Sequence, residues 1–229
     1  TFFGSALIKM CLKVKEDLNR KTGNAGAAQY FADLKGGFSY LKEKSVLLNF
    51  CILAFLVNAM LVPINSFQAP LVSDVLGQKS ELLSVLGIAS VIGSGVGSIL
   101  FPHLSKKVSV RNFVFINGVG LALSCGVMTL GALVKENWIA VYAITAFSSI
   151  GLGLFASTLS ATISVQFLKS IDRDYLARAQ SILGAGATAA MPLTSIFLSI
   201  VVNYVSVKDI IIACSVICAV IFIGFRIGN

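Results

Sequence analysis

Charge is what this sequence has least of. Aspartate, glutamate, lysine and arginine make up 12% of its 229 residues, where a soluble domain carries about 25%. None of these, and no histidine, falls deep inside any of the long apolar runs between Ser45 and Ile227. That absence argues against a voltage sensor. It also removes from this segment the buried carboxylate or histidine that proton-driven transport needs. An embedded nucleophile with its base is lacking too, so an enzyme acting on lipid ranks low. The runs lack the alternation of polar and apolar residues that the ~10-residue strands of a membrane barrel require. No basic region precedes the apolar opening "TFFGSALI", which is therefore not a secretory signal. Of the five cysteines, Cys214 and Cys218 are one helical turn apart with no histidine or acid beside them. They read as buried reduced thiols rather than metal ligands, and no metal or cofactor is expected.

What is present is apolar length. Six runs stand out, approximately Ser45–Gln68, Leu82–Pro102, Phe113–Val134, Trp138–Phe167, Ala179–Val202 and Ile210–Phe225. Each is near or above the ~20 residues with which a helix crosses ~30 Å of hydrocarbon. The expected class is all-α: a polytopic membrane protein with six transmembrane helices in residues 45–229. Residues 1–8 are too short to span. They are read as the end of a preceding transmembrane helix, with a short interfacial helix as the alternative. Residues 9–44 form an expected cytoplasmic linker. Within it Tyr30, Phe31, Leu34, Phe38 and Leu41 fall near helical spacing, as on a surface-lying amphipathic helix.

The basic residues are sorted by side. Fifteen of the 18 lysines and arginines, among them Lys106, Lys107 and Arg178, fall before the first span, after the second and fourth, or in the tail. Only Lys79, Lys135 and Lys208 fall on the other side. By the positive-inside rule the richer side, with the carboxy terminus, is cytoplasmic. The net charge of +8 therefore calls for no nucleic-acid partner and suits a membrane rim with attraction to anionic lipid. Trp138 and Tyr142 on one side, Tyr40 and Tyr175 on the other, fit interfacial belts.

Taken as triplets, the spans repeat a character: polar, then small-residue, then more apolar. Two such three-helix repeats are inverted in the membrane, because an odd number of spans flips the second copy. Asn58 and Asn65 on the first span are two helical turns apart and share a face, with Gln68 near it. These amides, beside a fourth span rich in serine and threonine, are candidates for lining an aqueous cavity. The alternative is bonding to neighbouring helices, or for the hydroxyls to their own helix. On the second span, "GSGVGS" (residues 93–98) is no phosphate loop, since it lies inside an uncharged span and lacks the following Lys-Ser/Thr. Gly93 and Gly97, four apart, instead clear one helix face for a close neighbour. Gly184 and Gly186 bring the same small-residue character to the fifth span.

These features resemble the carboxy-terminal half of a major facilitator superfamily transporter. "DLKGGFSYL" (residues 33–41) and Arg178 in "DYLARAQS" are similar to its macrolide-efflux and siderophore-exporter-like branch. The superfamily's acidic loop motif is degraded here: Gly97 and "LSKK" (residues 104–107) occupy its place, and no acid is present. The resemblance implies alternating access between two six-helix halves, the amino-terminal one lying outside this segment. It implies that the first helix of each triplet lines the cavity, the second meets the other half and the third faces lipid. The cavity set becomes Asn58, Asn65, Gln68, Thr145, Ser148 and Ser149. Gly93, Gly97, Gly184 and Gly186 become the inter-half contact. His103, Lys106, Lys107 and Arg178 become a cytoplasmic gate, for which plain positive-inside topology is the competing account of the lysines. The implied function is secondary active export of a small amphipathic molecule from a bacterial cytoplasm across the plasma membrane, proton-coupled through the other half. The alternative is a non-transporting scaffold, sensor or subunit on the same fold.

Overall fold

The structure, a computed structural model, describes residue 42, residues 44–172 and residues 175–227. The expected partial span at residues 1–8 and the amphipathic segment up to Leu41 lie outside the described residues. Six helices are long and apolar enough to cross a membrane. They are α1 (Ser45–Ser66), α2 (Glu81–Leu104), α3 (Val110–Leu130), α4 (Trp138–Ser170), α5 (Leu176–Val201) and α6 (Val207–Ile227). Each falls on one of the six apolar runs, and no strand occurs among the described residues.

Local chemistry sets the helix ends. The Asn137 side chain accepts from the Ala140 amide at 3.2 Å and opens α4. Ser206 accepts from the Asp209 amide at 3.2 Å and donates to the Asp209 carboxylate at 2.6 Å, closing a reciprocal cap at the start of α6. After α1 the chain continues through a short turn (Gln68–Pro70) and a wide π turn (Leu71–Val75). Gly77 stops it with φ +63°, and the Gln78 amide reaches back to the Val72 carbonyl at 2.9 Å. A residue with a Cβ is strained in that conformation.

The helices pair in a pattern that follows the inverted repeat in part. The main packed pairs are α2 with α4, α1 with α5, α3 with α6 and α3 with α4, while α1 also touches α4 and α6. Exchanging α1 with α4, α2 with α5 and α3 with α6 turns the α2–α4 pair into α5–α1 and maps α3–α6 onto itself. The α3–α4 pair maps onto α6–α1, which only touch, so the two three-helix units repeat this pairing in part, as a pseudo-two-fold relation between them allows.

Burial departs from the expected roles. α3 is the most enclosed span, 56% of it buried, while α5 is only 11% buried. The third helix of the first triplet therefore does not simply face lipid. It is held by α4 on one side and α6 on the other. Gly118 takes the ring of Phe222, and Ser215 on α6 donates to the Ala122 carbonyl at 2.6 Å. Towards α4, the buried Asn117 donates to the Phe113 carbonyl at 2.7 Å and accepts a hydrogen bond from Thr158. Hydrogen bonds between membrane helices contribute about 0.6 kcal/mol on average and up to about 1.7. A buried acceptor left unsatisfied costs about 1–3. Thr158→Val, close in shape but without the hydroxyl, is expected to cost about 1–2 kcal/mol in reversible unfolding in lipid. In a double-mutant cycle with Asn117→Ala the two losses should be less than additive, and strictly additive losses would show that the pair is not coupled.

Candidate functional site

Among the described helices, α2 packs on α4 backbone against backbone. A Cβ built on Gly93 would lie 2.8 Å from the carbonyl carbon of Ile150, and nearer still to its oxygen. One on Gly97 would lie 2.8 Å from the Leu154 oxygen and against the Ser157 hydroxyl. From the other side, a Cβ on Gly153 would sit 2.9 Å from the Ser94 nitrogen. Ser94 donates to the Gly153 carbonyl at 3.3 Å. Gly93 and Gly97 do clear one face, but α4 of the same bundle occupies it. That corrects their assignment to a second bundle. The face of α2 left open carries Ile88, Val91, Ile92, Gly95 and Ile99, all exposed, and nothing lies within 4 Å of a Cβ on Gly95. On α5, Gly184 and Gly186 likewise meet nothing within 4 Å.

Two sets of hydroxyls stand apart on α4. Thr145 donates to the Val141 carbonyl at 2.7 Å, Ser148 to Ile144 at 2.7 Å, and Thr162 to Thr158 at 2.7 Å. These three and Ser149 are buried. The structure thus draws Thr145, Ser148 and Ser149 into the helix contacts and not into an open cavity. Their burial, with the return bonds of Thr145 and Ser148, is the chemistry of hydroxyls whose own helix offers the nearest carbonyl. The second set is Ser160 and Ser164, exposed, one helical turn apart, and with no hydrogen-bond partner among the described residues.

That second set lines a cavity. A space of about 230 Å³ lies between α1, α4 and α5. Its polar wall is Asn58, Ser160, Ser164 and Gln180, and its apolar wall includes Val57, Ile163 and Leu183, with Gly184 open to it. Asn58 spends its amide on the Ala54 carbonyl at 2.8 Å, which leaves the side-chain oxygen as an acceptor. Gln180 and the two serines add donors and acceptors. No charged residue lines the space among the described residues. Such a wall binds by shape, apolar contact and a few neutral hydrogen bonds.

Of the amides expected at a cavity, only Asn58 borders this one. Asn65 is exposed on the same face of α1 about 10 Å further along, and Gln68 is half-buried in the turn beyond it. Gln180 went unselected in the sequence, although it is the only amide in the fifth apolar run. Ser160 and Ser164 carried a signal as well, their four-residue spacing.

On the basic side of the cavity lies a plug. Leu47, Phe167 and Ala179 are fully buried together, with Phe50, Ile171 and Leu183 against them. At the same end Lys44 pairs with Asp172 at 2.6 Å, both partly exposed, and ties the start of α1 to the end of α4. An exposed pair of this kind adds at most about 1 kcal/mol, so the apolar layer is the stronger closure. The expected gate residues are spread wider. His103, Lys106 and Lys107 stand exposed at the end of α2 and in the turn after it, and Arg178 stands exposed at the start of α5. They belong to different packed pairs, α2 with α4 and α5 with α1.

An inverted pair of three-helix units with a neutral cavity between the first and fourth spans is a transporter's arrangement. The family model described as Major Facilitator Superfamily matches residues 2–170. The chain belongs to the major facilitator superfamily. No curated protein and no solved structure matches it. Members of the superfamily are integral membrane transporters, and the six apolar helices carry that character here.

Proposed function

We propose that this superfamily member is an exporter of small amphipathic molecules, driven by alternating access. The observation that carries the reading is the cavity between α1, α4 and α5. It has an uncharged wall of Asn58, Ser160, Ser164 and Gln180 facing aliphatic residues. A strongly charged substrate would need counter-charges there, while an amphipathic one needs this mixture. The similarity of residues 33–41 and of the Arg178 segment to efflux transporters points the same way.

The cavity is bounded by one bundle on one side only, and a second six-helix bundle completes it in this reading. The partner meets the exposed face of α2 around Val91, Gly95 and Ile99, and meets α5 on the side of Gly186, which turns away from the cavity-lining Gly184. Both are apolar or small-residue faces suited to close helix approach. Coupling to protons runs through that partner bundle, because the spans described here hold no embedded carboxylate. The basic side is cytoplasmic, so the plug at Leu47 and Phe167 closes the cytoplasmic route and the membrane is the bacterial plasma membrane.

The test is flux. The complete transporter is reconstituted in proteoliposomes and a pH gradient is imposed. Hydrophobic dyes or drugs are expected to move against their gradient and to stop when the pH gradient is collapsed. No gradient-dependent flux across a broad panel of neutral and amphipathic compounds would leave the fold serving as a scaffold or sensor.

A further inference from the structure

A second, larger cavity lies at the basic end, away from the first. It measures about 400 Å³ and is framed by the last turn of α2, the turn that follows, the first turns of α3 and the last turns of α4. Lys106, Lys169, Gln166 and Ser105 supply its polar wall, and Phe101 and Phe113 its floor, the two rings meeting edge to face at 6.1 Å. Among the described residues, no aspartate or glutamate lines it.

Three observations give it the character of an anion site. Neither Lys106 nor Lys169 makes an ion pair or hydrogen bond among the described residues. The carboxylate nearest to Lys169 along the chain is Asp172, and Lys44 holds it at 2.6 Å. The cavity also meets the N-terminus of α3 at Val110. There the Ser109 side chain takes the Asn112 amide. The amides of the first two α3 residues have no intrahelical acceptor, so the helix presents its positive end to this space.

Two further observations select the source of the anion. The cavity is built from the end turns of three helices long and apolar enough to cross a membrane, and the ends of such helices meet the headgroup layer. In the same turns Leu104 and Leu168 are 41% and 40% exposed, apolar surface on which acyl chains can rest. A soluble phosphate would use the lysines and leave that surface and the aromatic floor idle. We propose that this cavity holds the headgroup phosphate of an anionic membrane phospholipid, with Lys106 and Lys169 as its counter-charges and Gln166 and Ser105 as hydrogen-bond donors. Basic pockets between transmembrane helices suit anionic headgroups, each lysine near the surface contributing about 1 kcal/mol. The bound lipid clamps the ends of α2, α3 and α4 and so bears on the α2–α4 crossing.

The measurement is lipid retention. The full chain is taken from nanodiscs of phosphatidylcholine with or without phosphatidylglycerol and analysed by native mass spectrometry. Retained phosphatidylglycerol is expected at one molecule per chain, with phosphatidylcholine retained far less. Lys106→Gln with Lys169→Gln should lower phosphatidylglycerol retention about 30-fold. Lys79→Gln with Lys135→Gln, on the opposite side, should leave it unchanged. Lys106→Arg with Lys169→Arg, which keeps the charge, should retain the lipid. Single Lys→Gln changes should show intermediate losses even where the double variant folds poorly. Equal retention in the Lys106/Lys169 glutamine variants, or equal retention of phosphatidylcholine, overturns the proposal. So does full displacement of the lipid by millimolar inorganic phosphate, which would make this a site for soluble anions.

Discussion

Leucine in place of Gly93 is expected to cost the bundle about 3 kcal/mol or more and to lower its thermal midpoint by on the order of 10 °C. The cause is backbone against backbone. A Cβ at this position meets the Ile150 carbonyl, and its carbon is only 2.8 Å away. No rotamer of a neighbouring side chain relieves that contact, so α2 and α4 must separate. Separation breaks the mutual fit in which Gly153 lies against Ser90 and Ser94, and with it the Ser94–Gly153 hydrogen bond. Membrane helices associate by such packing and not by a hydrophobic drive, since lipid tails are as apolar as the side chains they replace. Opening the crossing therefore removes most of what joins the pair. Gly224 on α6, with nothing within 4 Å of its Cβ, is the control. Gly224→Leu should leave the midpoint within a few degrees. Thermal unfolding of the two purified variants decides the matter, and equal midpoints would mean that α4 does not occupy the Gly93 face.

The contrast between these glycines marks how far the residues alone could be read. The six spans were legible because length and apolarity are one-dimensional properties: the described helices start within three residues of the expected runs. That small residues at 93 and 97 admit a close neighbour was legible too, because four-residue spacing defines a helix face. Which neighbour comes was not, since spacing on one helix says nothing about the order of helices around it. The same limit misplaced the hydroxyls of α4. Thr145, Ser148, Ser160 and Ser164 are equivalent letters in one run, and they were separated only when α2 and α3 covered one face and the cavity opened on another. Asn58 was found because it had a partner at a seven-residue interval. Gln180 was not, because a single amide near a helix start looks like part of the basic rim until α5 is laid against α1.

Gly184 should behave in the opposite way to Gly93, and the cavity gives the reason. Nothing lies within 4 Å of a Cβ there, so leucine enters without a clash. Removing a glycine from a helix interior even favours the helix by roughly 0.5–1 kcal/mol. The side chain projects beside a space of only about 230 Å³ that Asn58, Ser164 and Gln180 share. It should exclude substrate from that space while leaving the fold intact. Transport by Gly184→Leu is expected to fall at least about 10-fold, with a thermal midpoint at or slightly above that of the parent. Gln180→Leu tests the same wall through its polarity. Loss of one hydrogen bond that a buried substrate group depends on weakens recognition by about 1–3 kcal/mol, about 5- to 150-fold in kcat/KM, for a substrate with a polar end and little for a purely apolar one. Together the variants separate space from chemistry. If both transport at the parental rate with unchanged KM, the cavity between α1, α4 and α5 is not on the transport path. If Gly184→Leu fails and Gln180→Leu does not, substrates use its volume and not its amide.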